Sequence, residues 1–224
     1  WPVDIIFENN KFCGYIMPKL KEGTKSMNQV FKASSNREVF EWFIHLGKNL
    51  CNAVDSLHKA GHLVGDFSAN NIQVAPNGLV FLIDTDNFHI NSLNSAKKTH
   101  PCIAGTPGYL PRELCGIDFS KETDTFSKES DYFALAVNLF SLLFNGSHPF
   151  ACRVLSQDSE FVDRNENIEK GFLPYFYNEP KVTIPTYSPK LSLINEELQI
   201  LFRDAFVKGH RNPMARPGPI NYYR

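Results

Sequence analysis

The sequence lacks the charge excess that a protein binding polyanions usually carries. Its 224 residues contain 23 Lys and Arg against 24 Asp and Glu, a formal net charge of −1. This balance gives no electrostatic reason to expect binding to nucleic acid or to an anionic membrane. A long hydrophobic run is missing as well, because residues 133–144 (FALAVNLFSLLF) are too few to span a bilayer.

Paired cysteines are also missing. The five cysteines are widely scattered and include no C-x-x-C pair, and the seven histidines lack the spacing of metal ligands. This usage argues against a disulfide framework or a zinc site. It indicates free thiols in a reducing compartment and therefore predicts a cytoplasmic protein.

The sequence contains enough apolar material for one large domain or two small lobes, with 42% hydrophobic residues. Two β-rich runs, residues 3–7 and 12–17, predict a hairpin. Apolar side chains recur every three or four positions across residues 34–61. This spacing predicts one long helix with Ser35 and Gly61 as its caps.

Two more helices are predicted towards the C-terminus. Residues 131–144 are apolar on nearly every face, which indicates a helix buried at the centre of the domain. Residues 195–209 begin with an Asn cap and end at Gly209. The stretch between them, 151–190, is rich in aromatic residues and proline and supports no assignment.

Carboxylates and carboxamides crowd both ends of two short apolar runs, NIQVA and LVFLI. The runs flank the turn PNG, so they predict an antiparallel hairpin. Its register would place Ala75 near Leu79 and Asn71 near Ile83. The open end of the hairpin would then gather polar side chains that are distant in sequence.

Asp66, Asn71 and Asp84 are the side chains expected to converge there. Carboxylates held close together repel one another unless a cation or a proton lies among them. Oxygen ligands without His or Cys suit a hard ion such as Mg²⁺, which shares phosphate oxygens. Each residue alone could simply form a turn at a strand end, but the spacing of all three favours a metal site.

These residues occur in motifs that resemble those of protein kinases. V-G-D-F-S-A-N-N resembles the catalytic loop H-R-D-x-x-x-x-N, which implies that Asp66 is the catalytic base and Asn71 a metal ligand. D-T-D is similar to D-F-G and implies Asp84 as a second metal ligand. Asp86 replaces the Gly of that motif and is a further candidate ligand.

Other motifs extend the resemblance along the whole chain. G-T-P-G-Y-L-P-R-E resembles the end of an activation segment, where the family pairs a Glu, here Glu113, with an Arg, here Arg216. S-D-Y-F-A-L-A resembles the central helix, whose Asp131 would brace the catalytic loop. G-Y-I-M-P-K-L is similar to the strand and hinge that contact adenine. The implied nucleotide-binding residues are Met17, Pro18, Lys19 and Leu20.

The sequence also departs from the family pattern. Gly65 replaces the Arg of the catalytic loop, and Ser68, a candidate catalytic residue, replaces its Lys. The resemblance implies that residues 1–20 are the end of an N-lobe with the hinge, and residues 21–224 the C-lobe. The family's Gly-rich loop, strand Lys and helix Glu would then lie upstream of Trp1.

The resemblance therefore implies an α+β, protein-kinase-like fold with a partial β-rich N-lobe and a mainly helical C-lobe. The implied activity is ATP- and Mg²⁺-dependent transfer of the γ-phosphoryl group to Ser or Thr of a protein substrate. The motif variants are most similar to bacterial kinases encoded beside phosphatase and von Willebrand-type partner proteins.

Two alternatives remain open. One is a pseudokinase scaffold that binds partners without turnover. The other is a small-molecule phosphotransferase, because those enzymes also use G-D-x-x-x-x-N followed by I-D-x-D. The G-T-P-x-Y and D-Y-x-A-L segments favour a protein substrate.

Overall fold

The computed structural model describes residues 2–32, 37–91, 99–155, 163–177 and 182–223. In these ranges the chain forms three small antiparallel sheets and several helices, a composition compatible with the predicted α+β class. No helix in this part of the chain is long and apolar enough to cross a bilayer. All five cysteines are free thiols.

The strands are β1 (Asp4–Glu8), β2 (Lys11–Ile16), β3 (Lys25–Ser26), β4 (Ile72–Val74), β5 (Val80–Leu82), β6 (Arg153–Val154) and β7 (Val182–Thr183). The helices are α1 (Met27–Val30), α2 (Arg37–Lys59), α3 (Lys128–Leu143), α4 (Arg164–Lys170), α5 (Glu196–Arg203), α6 (Gly209–Arg211) and α7 (Pro219–Tyr223). The β6–β7 pair and α4 occupy the stretch for which the sequence supported no assignment.

The first two strands form the hairpin that the sequence predicts. Asn9 and Asn10 make its turn with φ of 49° and 61°, a left-handed conformation that Asn tolerates better than most residues. Both faces of this hairpin are exposed among the described residues, although many of its side chains are apolar. The exposed apolar residues are Val3, Ile5, Ile6, Phe7, Phe12, Tyr15 and Ile16.

The β4–β5 hairpin has the predicted register. The Ala75 N–H donates to the Leu79 carbonyl, and the Ile83 N–H donates to the Asn71 carbonyl, both at 2.9 Å. Gly78 supplies the positive φ of 79° that the turn needs. β3 pairs with β4 and completes a three-stranded sheet.

Helix α2 lies within the stretch predicted to be helical and is followed by Gly61, whose φ of 85° suits the residue after a helix end. The predicted cap Ser35 lies outside the described residues. The apolar stripe of α2 faces the core, as its spacing predicts. Its fully buried members are Phe43, Leu46, Leu50 and Val54.

Helix α3 is buried on nearly every face, which confirms the prediction for the central helix. It begins after Ser127, whose hydroxyl accepts a hydrogen bond from the Ser130 N–H. Phe140 stacks on Phe144 with ring centroids 4.0 Å apart, and Phe202 of α5 packs edge-on against Phe140. The aromatic core therefore fixes α3 in place.

The predicted end of the last long helix at Gly209 is wrong. After α5 the chain makes a π-helical turn over Asp204–Lys208 and continues as α6, and Gly209 keeps a helical φ of −65°. A Cβ at Gly209 would overlap the side chain of Arg216. Glycine is needed here for close packing and not as a cap.

The predicted pair between Arg216 and Glu113 is confirmed and is bidentate, with N–O distances of 2.5 and 2.8 Å. The guanidinium also donates to the carbonyls of Glu129 and Gly209 and lies over the ring of Phe133. The Arg216 side chain is fully buried, whereas 36% of the Glu113 side chain remains exposed. Only the Arg216 partner of this pair is therefore fully buried.

We predict that Arg216→Ala lowers the free energy of unfolding by about 3 kcal/mol, because it removes four hydrogen bonds and leaves the Glu113 carboxylate and the buried Gly209 carbonyl without their donors. Thermal unfolding measures the effect. Lys121→Ala is the control, since Lys121 forms an exposed pair with Asp118 and its loss should leave the midpoint unchanged. Equal midpoints for both variants would contradict the assigned role.

Candidate active site

A buried carboxylate on α3 holds the loop that follows α2. Asp131 is fully buried and accepts hydrogen bonds from the N–H groups of Val64 at 2.8 Å and Gly65 at 3.0 Å. The His58 ring donates to the same carboxylate from 2.7 Å. The predicted brace between α3 and this loop is therefore present.

A second polar side chain of α3 holds the same loop. The Asn138 amide donates to the Phe67 carbonyl at 3.1 Å and to the Ala134 carbonyl at 2.9 Å. Sequence reasoning assigned no role to Asn138 or to His58. The sequence feature that could have identified Asn138 is its position as a lone carboxamide within the apolar run 133–144. We see no comparable feature for His58.

Asp66 is held by contacts on both oxygens of its carboxylate. Oδ1 accepts from the backbone N–H of Thr106 at 2.8 Å and from its hydroxyl at 2.6 Å. Asn71 donates from Nδ2 to Oδ2 at 3.1 Å and to the Asp66 backbone carbonyl at 2.9 Å. These bonds fix the orientation of a partly buried carboxylate.

Asp84 lies at the open end of the β4–β5 hairpin with a φ of 60°, in the left-handed region that is uncommon for a residue with a side chain. Its Oδ2 accepts from Asn87 at 2.9 Å. Partial desolvation raises the pKa of Asp84, and the carboxylates of Asp86 and Asp66 raise it further. The carboxylate of Asp66 is therefore close enough to affect the pKa of Asp84.

The chemistry of this cluster fits a hard cation. No ion pair in the described ranges neutralises Asp66, Asp84 or Asp86. Asn71 directs its amide nitrogen to Asp66, which leaves its amide oxygen as a ligand. Among the described residues no group of three His, Cys, Asp or Glu side chains could hold a metal alone. A Mg²⁺ ion here would need Asn71 and oxygens from a bound phosphate or water.

The remaining predicted site residues are Ser68 and the four hinge residues. Ser68 is buried within the loop, and its carbonyl accepts from the Asn71 N–H at 3.0 Å. Met17 is 49% exposed at the end of the β1–β2 hairpin. No hydrogen bond or ion pair in the described part of the chain joins it to the carboxylate cluster. The same holds for the other predicted hinge residues, Pro18, Lys19 and Leu20.

Cys102 packs into the space left by Gly65. Gly65 has a φ of 75°, and an added Cβ would lie 2.5 Å from the Cys102 Sγ and 2.9 Å from the Asn87 carbonyl oxygen. The thiol is buried and donates to the Ala104 carbonyl at 3.0 Å. Burial raises the pKa of Cys102 to about 11, so this side chain is a neutral packing group at physiological pH.

A second contact fixes the same segment further along. The carbonyl of Gly108 accepts from His148 Nε2 at 2.8 Å, and its N–H donates to Asn165 at 2.7 Å. Burial and the nearby Arg164 lower the pKa of His148 to about 3, so the ring stays neutral. Its Nδ1 can then accept from the Phe150 N–H. Segment 102–108 is thus held against the loop through Cys102 and Thr106, and its far end is held by His148 and Asn165.

Comparisons with known proteins found relatives that are named protein kinases. No protein-family model matches the chain. The chain is 24% identical over 232 residues to Protein kinase YegI of Escherichia coli strain K12, and equally to the protein of that name from strain O157:H7. The match covers 93% of this chain and 33% of each relative. The chain therefore spans about a third of the length of these relatives, and the similarity supports a kinase-like relationship.

We predict that Gly65→Ala destabilises the protein by about 1–3 kcal/mol, because the new methyl group meets Cys102 in a backbone conformation that disfavours it. Gly61→Ala is a matched control, since Gly61 has a φ of 85° with open space around the added carbon. Chemical denaturation measures both. The Gly65→Ala/Cys102→Gly double variant should be more stable than the sum of its single changes allows. Strict additivity would show that the two residues do not contact.

Proposed function

We propose that this chain is the C-lobe and hinge of a protein kinase that transfers the γ-phosphoryl group of ATP to a Ser or Thr hydroxyl. The observation that carries the proposal is the fixed carboxylate of Asp66, located beside Asp84 and Asn71. A phosphoryl-transfer site needs an acceptor for the hydroxyl proton next to oxygen ligands for a cation. This cluster offers both.

The contacts of Asp66 favour one of its two carboxylate oxygens as the acceptor for the substrate hydroxyl. Thr106 uses two donors on Oδ1, whereas Asn71 uses one on Oδ2. A carboxylate oxygen has about two acceptor sites, so Oδ2 keeps a site for the substrate hydroxyl. Asp66 would orient that hydroxyl and accept its proton as the phosphoryl group transfers. Ser68, buried beneath it, would hold the loop without contacting substrate.

Asn71 and Asp84 would hold Mg²⁺, with Asp86 as an added oxygen ligand. When bound, the ion would offset negative charge on the nucleotide phosphates. Desolvation is the largest cause of the raised pKa of Asp84, and the negative charges of Asp86 and Asp66 add to it; such an ion would offset these charges. The Asn87 amide would keep Asp84 oriented.

The domain assignment also remains a proposal. Residues 1–20 would be the end of an N-lobe with the hinge, and residues 21–224 the C-lobe. The exposed apolar faces of the β1–β2 hairpin support it, because a hairpin of this kind is stable only when other strands or a helix cover it. Met17, Pro18, Lys19 and Leu20 would then contact the adenine ring between the lobes.

A protein substrate is favoured by the docked segment. Thr106 holds the stretch 105–109 beside Asp66, and Gly108 is anchored to His148. The stretch includes a turn in which the Tyr109 N–H donates to the Thr106 carbonyl, and it would offer a surface for a peptide next to the proton acceptor. A small-molecule phosphotransferase has no need for such a surface.

A scaffold without turnover is the second candidate. It is favoured by the lack of any lysine or arginine paired with the carboxylate cluster in the described ranges. Such a cation normally assists phosphoryl transfer. Activity measured on the full-length protein separates the two candidates.

We predict that Asp84→Asn weakens Mg²⁺-dependent ATP binding by more than about tenfold, because it removes a charged metal ligand. Asp66→Asn should retain ATP binding and lower kcat by about 10²–10⁴-fold, since its role is towards the hydroxyl. Titration calorimetry and steady-state kinetics on the full-length protein measure both. Unchanged ATP affinity in Asp84→Asn would refute the metal assignment.

We also predict that activity does not require phosphorylation of the activation segment. Many kinases order this segment by docking a phosphate on the Arg before the catalytic Asp, but that position here is Gly65. Cys102 and Thr106 dock the segment without a phosphate. Phosphatase treatment and Thr99→Ala should therefore leave kcat unchanged. A large loss of kcat in both would show that a phosphate is needed.

A further inference from the structure

A cleft of about 410 Å³ lies away from the carboxylate cluster, between the segment Arg112–Leu114, the end of α4 and the region around α6. Its lining combines basic side chains with aromatic and aliphatic ones, of which Leu173 and Phe206 are fully buried. The basic residues are Arg112, Lys170, His210 and Arg211, and the apolar residues are Phe172, Leu173, Tyr177, Phe206 and Val207.

The positive charge of this cleft is not neutralised by the described residues. No carboxylate lines the cleft, and Glu113, next to Arg112 in sequence, is engaged by Arg216. Lys170 pairs with Glu166 within α4. Arg112 and Arg211 form no ion pair in the described part of the chain. Two guanidinium groups are therefore available to an anion.

Helix polarity explains only part of this arrangement. The C-terminus of a helix favours a cation, so Lys170 at the end of α4 and Arg211 at the end of α6 need no ligand to account for them. Arg112 belongs to neither α4 nor α6, yet it lines the same cleft. The convergence of arginines from separate elements is the pattern expected of an anion site.

The wall of the cleft is built by close packing. His210 donates from Nε2 to the Ile168 carbonyl at 2.8 Å, which fixes its ring. Gly171 has a φ of 74°, and an added Cβ would lie 2.9 Å from the His210 ring. The ring therefore occupies space that only glycine leaves open. The wall of the cleft at His210 is therefore fixed in position.

We propose that this cleft binds a phosphorylated Ser or Thr side chain of a partner protein. Arg112 and Arg211 would form charge-assisted hydrogen bonds to the phosphoryl oxygens, and Lys170 would add attraction at the edge. Their two uncompensated charges match the charge of a phosphorylated side chain, about −1.5 to −2 at neutral pH. The apolar side chains that remain at least partly exposed in the cleft, Phe172, Tyr177 and Val207, would contact the peptide that carries the phosphate.

The position of the cleft indicates how phosphate binding would deliver a substrate to Asp66. This part of the inference rests on the proposed function. Arg112 follows directly on the stretch 105–111, which contacts Asp66 through Thr106. A partner held by its phosphate would thus be tethered next to the surface that receives the substrate hydroxyl. The cleft would favour substrates that already carry a phosphate.

Binding can be tested without catalysis. Degenerate peptides with a central phosphoserine are fixed to beads, and retention of the full-length protein is measured in the absence of ATP and Mg²⁺. Peptides with serine or glutamate at the centre are run in parallel, and inorganic phosphate is added as a competitor. Arg112→Gln and Arg211→Gln are compared with Arg153→Gln, which removes an exposed arginine of β6 outside the cleft.

We expect selective retention on the phosphoserine peptides, a loss of about tenfold in affinity for each cleft variant, and no change for Arg153→Gln. Equal retention on serine or glutamate peptides, or an equal effect of all three variants, would overturn the proposal. Displacement by inorganic phosphate as effective as by soluble phosphopeptide would show a site for the free anion and would also overturn it. If the full-length protein retains the phosphoserine peptides selectively but shows no kinase activity, only the proposed function is contradicted.

Discussion

The carboxylate of Asp131 is the interaction on which the candidate site depends. A buried charge is stable only when its acceptor sites are filled, and Asp131 fills them with two backbone N–H groups and the His58 ring. Helix α3 is itself buried on nearly every face, and its Phe133 and Phe140 pack against other aromatic rings. The loop at Val64 and Gly65 is therefore attached to the core of the molecule.

The other contacts of the site follow from that attachment. Because the loop is fixed, Asp66 has a defined position, and Asn71 and Thr106 can set the orientation of its carboxylate. Gly65, bonded to Asp131 on one side, leaves the space that Cys102 fills on the other. Segment 102–108 is thus packed against the loop by a neutral thiol.

Patterns with a local physical cause were predictable from the sequence. The turn around Gly78 set the register of β4 and β5, and apolar periodicity located α2 and α3. The contact between Glu113 and Arg216 was anticipated only through the family resemblance. Its one-sided burial was not anticipated, because exposure depends on neighbouring elements that a motif does not contain.

Features that arise from tertiary packing were missed. Gly209 has the sequence context of a helix end, but it is helical, and its missing side chain leaves the space that Arg216 occupies. His58 has no distinguishing pattern, since its role exists only when α2 and α3 meet. The arginines of the basic cleft are far apart in sequence, and their convergence depends on how α4, α6 and the segment of Arg112 pack together.

The central claim is that Asp66 supports phosphoryl transfer from ATP to Ser or Thr. The most direct measurement is to incubate the full-length protein and its Asp66→Asn variant with ATP labelled in the γ-phosphoryl group, and to identify the labelled amino acid after hydrolysis. The account predicts phosphoserine or phosphothreonine from the parent protein and a nearly complete loss of label in the variant. Absence of label from the parent protein, or equal labelling of both proteins, would contradict it.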